Sequence, residues 1–177
     1  VSRIIVLKGT MHSHLERLRQ ELEEAMASSG VGVLAQTSHG KWNPDEIAEH
    51  LFLTYTQTSR GLAKCQEKGS PMAGSATLRD RIATLLVVKL GYLPDGRKSP
   101  DRAVPRGMPP EEVRHGLAAE LQKMDSELND CERRFGQRTK IMDHPALGPL
   151  TADEWRRFHL VHGRHHLRQI RERTNRP

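Results

Sequence analysis

The 177-residue chain carries 28 Lys and Arg against 22 Asp and Glu, a formal charge of +6, with 36% hydrophobic and only 4% aromatic residues. This is enough chain for one domain with its own core, and too little aromatic content for a sandwich or barrel, so aliphatic helix stripes are expected to build the interior. The basic excess gathers near the C-terminus in Arg156, Arg157, Arg164, Arg168, Arg171, Arg173 and Arg176 without a nucleic-acid motif or interleaved aromatics, so it reads as a solvated helix face and no nucleic-acid partner is expected.

VSRIIVLKG, at the start, lacks the parts of a signal peptide, and residues 1–12 read as a flexible or extended lead into a single domain spanning 1–177. The first helix is expected from a Ser13 cap with Glu16 at N3, and Leu15, Leu18, Leu22 and Ala25 form its apolar stripe. Asn43, Pro44 and Glu46 announce a second helix whose stripe runs through Ile47, Leu51, Thr54, Thr58, Leu62 and Cys65. A short third helix is expected from about Thr77 to Gly91, with Leu85, Leu86, Val87 and Val88 packed inward where Phe52 and Leu53 could meet them.

GYLPDGRKSPDRAVPRGMPP then carries the chain across the fold, as a surface wrap or a lid over a site. From Pro110 to about Phe135, Val113, Leu117, Leu121, Met124, Leu128, Cys131 and Phe135 recur at spacings of three and four, and Thr151 with Glu154 caps a last helix. The expected architecture is all-α: a four-helix bundle, up-down-down-up, with a long crossover containing a short extra helix. Cys65 and Cys131 lie on stripes and read as buried small hydrophobes in a reducing compartment. No run approaches the ~20 apolar residues of a spanning helix, so a cytoplasmic protein without a membrane partner is expected. Dimerisation is compatible with so helical a chain.

The last helix holds His159, His162, His165 and His166. His162 and His166 are four apart, which places their side chains on one face with Cβ atoms roughly 6 Å apart, suited to chelating one ion. His159 with His162 is the rival pair. His50 lies among the apolar positions Ile47, Leu51 and Thr54, where an imidazole is costly unless satisfied. Either it bonds a carbonyl or Glu46 within the core, or it completes a three-histidine site with His162 and His166 across the bundle, leaving a fourth position open. Gln169, one turn beyond His166, could bond a ligand, a metal-bound water or another helix. His159 and His165 are candidates for supporting roles or for exposure. His144 is expected to shape its turn, while His12, His14, His39 and His115 read as surface.

WNPDEIAEHL at 42–51 and HPALGPLTADEWRRFHLVHGRHHLRQI at 144–170 resemble the DinB-like family of small four-helix-bundle metalloenzymes, as do the helix order and the GYLPDGRKSP crossover. The resemblance implies His50, His162 and His166 as ligands of a divalent ion, zinc or nickel being the first choices, with Gln169 following. It also implies a small-molecule substrate, in several relatives a low-molecular-weight thiol transferred to an electrophile. Arg164 and Arg168 are then candidates to hold the thiol's carboxylates. Metal-assisted hydrolysis is the alternative, with Glu46 the nearest carboxylate and Glu49 rotated away. A non-catalytic protein that keeps a metal for stress binding or interaction is a third.

Overall fold

The computed structural model describes residues 10–28, 41–94, 96 and 98–174, so the expectations placed on residues 1–9 and on His39 lie outside the described residues. Helix α1 (Ser13–Ser28) starts at Ser13 itself, so its cap falls one residue earlier than expected. The N–H groups of Leu15 and Glu16 both donate to the His12 carbonyl at 2.9 Å. Nδ1 of His12 accepts from the backbone N–H of His14 at 3.3 Å. His12 therefore does the capping, Ser13 is already helical, and Glu16 turns to Arg19 and Gln20 instead.

Helix α2 (Pro44–Lys68) opens with a reciprocal box: Glu46 N–H donates to Asn43 Oδ1 at 2.8 Å and Asn43 N–H donates to a Glu46 carboxylate oxygen at 2.7 Å. It closes on Gly69, whose φ of 74° is the left-handed conformation that stops a helix most cheaply in glycine. Helix α3 (Leu78–Thr84), boxed by Thr77 and Asp80, runs on as a π turn over Leu85–Lys89. This turn corrects an expectation. Val87 and Val88 are buried, but Leu85 and Leu86 are 52% and 40% exposed, because the widened turn rotates them away from the core. The turn packs on the last helix, and Phe52 instead lies against Gly116, where an added Cβ would come within 2.8 Å of its ring.

A 3₁₀ turn at Asp101–Ala103 precedes helix α4 (Pro110–Phe135). Strands β1 (Met142–His144) and β2 (Gly148–Leu150) pair antiparallel, Met142 opposite Leu150. The HPALGPL turn closes this small hairpin, and the fold remains mainly helical, consistent with the expected all-α class. Helix α5 (Ala152–Thr174) follows, capped by Thr151, whose hydroxyl accepts Glu154 N–H at 3.3 Å and whose N–H donates back to Glu154 at 2.8 Å.

The fold of the described residues is thus mainly helical, and α1, α2, α4 and α5 pack on one another. Contacts give their directions. Asp45 pairs with Arg114 and, further on, the Leu62 carbonyl accepts from the Cys131 thiol, so α2 and α4 run the same way. Arg173 donates to the Trp42 carbonyl while Tyr55 packs on His159, so α2 and α5 run oppositely. Helices α1 and α5 come unusually close at Gly163, where a Cβ would fall 2.5 Å from a Leu18 methyl. The expected stripes fill the core except at Thr54 and Phe135, which are half-buried, and Tyr55 and Ser59 are buried besides, since α2 faces both α4 and α5. Both cysteines are buried and unpaired.

Candidate metal centre

The second turn of α2 and the middle of α5 meet antiparallel, which brings His50 beside His162 and His166. Nε2 of His162 lies 3.2 Å from Nε2 of His50 and 3.1 Å from Nε2 of His166. Two nitrogens each bound at ~2.0–2.1 Å to a tetrahedral ion lie about 3.3 Å apart, so these spacings are those of ligands around one metal. The three nitrogens lie within 4.8 Å of one another and all three residues are buried. They could hold a metal ion.

The protonation pattern supports that fit. A carbonyl oxygen only accepts, so Nδ1 of His50, 2.7 Å from the Ala103 carbonyl, carries the proton. The Gln169 side chain does the same for His166, its oxygen accepting from Nδ1 at 2.9 Å while its amide nitrogen donates to Nε2 of His165 at 2.9 Å. In neutral imidazoles this leaves Nε2 of both His50 and His166 as bare lone pairs directed at the third ring. One Nε2–H on His162 can serve one of them and not both. A cation satisfies all three at once.

Burial keeps the rings neutral. Desolvation holds His50 below the usual histidine range, although its bond to Ala103 works the other way. Desolvation, then the neighbouring His50, brings His166 down to about 3. His162 is pushed well down by burial and by both partners. Neutral imidazole is the form that binds metal. Aromatic faces wall the site: Trp42 lies over His50 with ring centroids 4.9 Å apart, and Phe158 stacks on His162 at 5.3 Å.

The other expected residues separate. Gln169 supports His166 rather than another helix, and His165 hangs from the same amide. Glu46 is committed to the α2 cap and does not bond His50. His159 is not the rival ligand: it is fully buried between Tyr55, Trp155 and Phe158, with neither ring nitrogen bonded among the described residues, and burial lowers it to about 3. Arg164 points the wrong way for a substrate clamp. It is paired with Glu21 of α1 at 2.5 Å and, with Arg168 and Arg171, borders a surface hollow of about 730 Å³ on the α1 side of α5. His144 accepts the Ala146 N–H at 3.1 Å and so shapes its turn as expected. His115 is exposed, while His12 and His14 are half-buried at the α1 cap.

Sequence reasoning read the crossover as a wrap or a lid but singled out no residue within it. Ser99 Oγ lies 3.4 Å from Nδ1 of His50, Ala103 supplies its carbonyl, and Glu49 is buried beneath residues 106–108. The available signal was Glu49 beside His50 in a stretch otherwise apolar on its inner side.

No helix among the described residues is long and apolar enough to cross a membrane. No curated protein and no solved structure matches the chain. One family profile does, over residues 10–173: DUF1569, described as a protein of unknown function. The histidine centre therefore lies wholly inside the matched region, and the chain belongs to the DUF1569 family.

Proposed function

We propose that this protein is a divalent-metal-dependent enzyme built on an up-down-down-up four-helix bundle of the DinB-like kind, and that it transfers a low-molecular-weight thiol to an electrophile. The observation that carries the metal reading is the pair of bare Nε2 atoms on His50 and His166, held in that tautomer by the Ala103 carbonyl and Gln169 and converging on Nε2 of His162. The shared directions of α2 and α4 and the reversal at α5 favour the bundle.

His50, His162 and His166 would hold the ion, zinc or nickel, through Nε2. A divalent ion with an open fourth position supplies the charge that keeps a thiol as thiolate at neutral pH. The chain's own residues then do three things: Ala103 and Gln169 fix ligand orientation, Trp42 and Phe158 exclude water from one side, and burial keeps the imidazoles unprotonated. Hydrolysis calls for a general base beside the ion, and a carboxylate is the base considered from the sequence. Glu46 is engaged in the cap and Glu49 by three backbone amides, so neither of these two carboxylates is free to act as base, which favours thiol transfer.

Elemental analysis of protein purified without chelators tests the premise. About one zinc or nickel per chain is expected in the native protein and none in His162→Ala; equal metal content in both overturns the ligand assignment. A panel of cellular thiols with a haloarene or epoxide then tests the reaction. Metal-dependent conjugation is expected, whereas ester or amide cleavage without conjugation would favour the hydrolase.

A further inference from the structure

We propose that Glu49 is a positioning residue of the histidine centre: it anchors the crossover segment 99–108, so that the Ala103 carbonyl holds His50 in its metal-binding tautomer and metal occupancy is coupled to the seating of that segment. The proposal rests on the metal reading above and adds a residue and a coupling to it.

Glu49 and His50 are consecutive on α2, so their side chains leave the helix about 100° apart. Both nevertheless end on the same piece of crossover. The Glu49 carboxylate, in a residue only 2% exposed, accepts the N–H of Arg106 at 2.6 Å and those of Gly107 and Met108 at 3.1 Å each. Three successive amides turned onto one carboxylate form an anion-binding nest, and Gly107, at φ 83°, takes the left-handed conformation that the turn requires. A carboxylate is buried at this depth only with such compensation.

Two residues separate the nest from the carbonyl that His50 uses, Val104 and Pro105, and the proline ring restricts its own φ. Where Glu49 places Arg106, it also places Ala103. The 3₁₀ turn Asp101–Ala103 packs directly on α2, completing the path from carboxylate through backbone and carbonyl to the imidazole. Glu49 touches no ligand nitrogen, which separates its role from catalysis. Coupling is reciprocal: if the seated segment favours metal, metal favours the seated segment by the same factor. Arg102 and Arg106 are exposed within this segment and offer trypsin two bonds by which to read its seating.

The experiment combines zinc titration with limited trypsin digestion and mass spectrometry of the native chain, Glu49→Gln, His162→Ala and Leu128→Ala. Leu128 lies in the core of α4, so Leu128→Ala weakens the fold without touching the segment. Zinc is expected to slow cleavage after Arg102 and Arg106 about tenfold in the native chain and not in His162→Ala, which also controls for zinc acting on the protease. Glu49→Gln is expected to bind zinc about tenfold more weakly, the lower end for a group supporting a ligand, while folded Leu128→Ala binds it normally. Native-like zinc affinity in Glu49→Gln, or native cleavage indifferent to bound zinc, overturns the proposal. Should Glu49→Gln not fold, the zinc dependence of native cleavage decides alone. A native chain that takes up no metal defeats the metal reading and this proposal together; loss of metal in His162→Ala alone defeats only the role of Glu49.

Discussion

Helix α5 buries two polar clusters less than two turns apart, and they are assembled on opposite principles. Around Arg156, 1% exposed, each guanidinium nitrogen has its own acceptor: Asp125 at 3.1 Å, Glu132 at 2.8 Å and Asn129 at 2.7 Å. The second Asp125 oxygen accepts the His12 N–H at 2.7 Å, tying α1 to the same cluster. Donors meet acceptors and the set closes on itself. Around His162, three like groups face one another, and the hydrogen bonds behind them leave more lone pairs in the middle than protons. A buried polar group by itself says little about function; a converging set of one kind, with its proton positions dictated from behind, calls for a ligand.

If that distinction holds, substitutions in the two clusters should separate stability from metal binding. The largest effect belongs to Arg156→Ala, which leaves the buried Asp125 carboxylate without its counter-charge and should cost about 3–5 kcal/mol in denaturant unfolding, with zinc still bound by the molecules that remain folded. Next, zinc at a hundred times its Kd should stabilise the native chain by about 2.7 kcal/mol and His162→Ala not at all, read as the shift in unfolding midpoint. An unshifted native midpoint would erase the contrast. Gln169→Ala should weaken zinc binding ~10–100-fold by releasing the His166 tautomer while the metal-free protein unfolds nearly as before.

Acid offers a fourth test. Burial lowers His159 and His166 to about 3, so between that value and the ordinary 6.5 the unfolded chain binds protons that the folded chain refuses. Metal-free stability should therefore fall as pH drops through this window, by up to about 1.4 kcal/mol per pH unit for each such ring, measured by denaturant titration at pH 7, 6 and 5. Constant stability across that range would mean that the rings are not held neutral. The smallest effect is expected from Asn43→Ala, about 1 kcal/mol for the lost α2 cap, with zinc affinity preserved because the cap precedes His50 by almost two turns.

Much of this was legible before any coordinates. The boxes at Asn43 with Glu46 and Thr151 with Glu154 were readable because capping is local chemistry across three residues. The α1 cap was misplaced because it uses the His12 carbonyl and ring nitrogen, where a hydroxyl was expected. The stripes of α1 and α4 follow from helical period alone. The burial of Tyr55 and Ser59 on α2 does not, since it depends on α5 packing beside α4. Strands of three residues, as in the hairpin, are too short to leave a periodic trace.

For the site, the chain by itself determined that His162 and His166 share a helix face, because a spacing of four is geometry internal to one helix. It also marked His50 as an imidazole on an apolar side. Only the tertiary structure decided between the pair His162 with His166 and its rival His159 with His162, and brought His50 to the chosen pair, since both turn on which face of α5 meets the first turns of α2. It alone decided which nitrogen of His50 and of His166 carries the proton, because the deciding acceptors are a carbonyl from a crossover dozens of residues away and a glutamine amide whose orientation depends on His165. Spacing along one helix is encoded locally; convergence, tautomer and the anchoring of Ala103 arise only where separate segments meet.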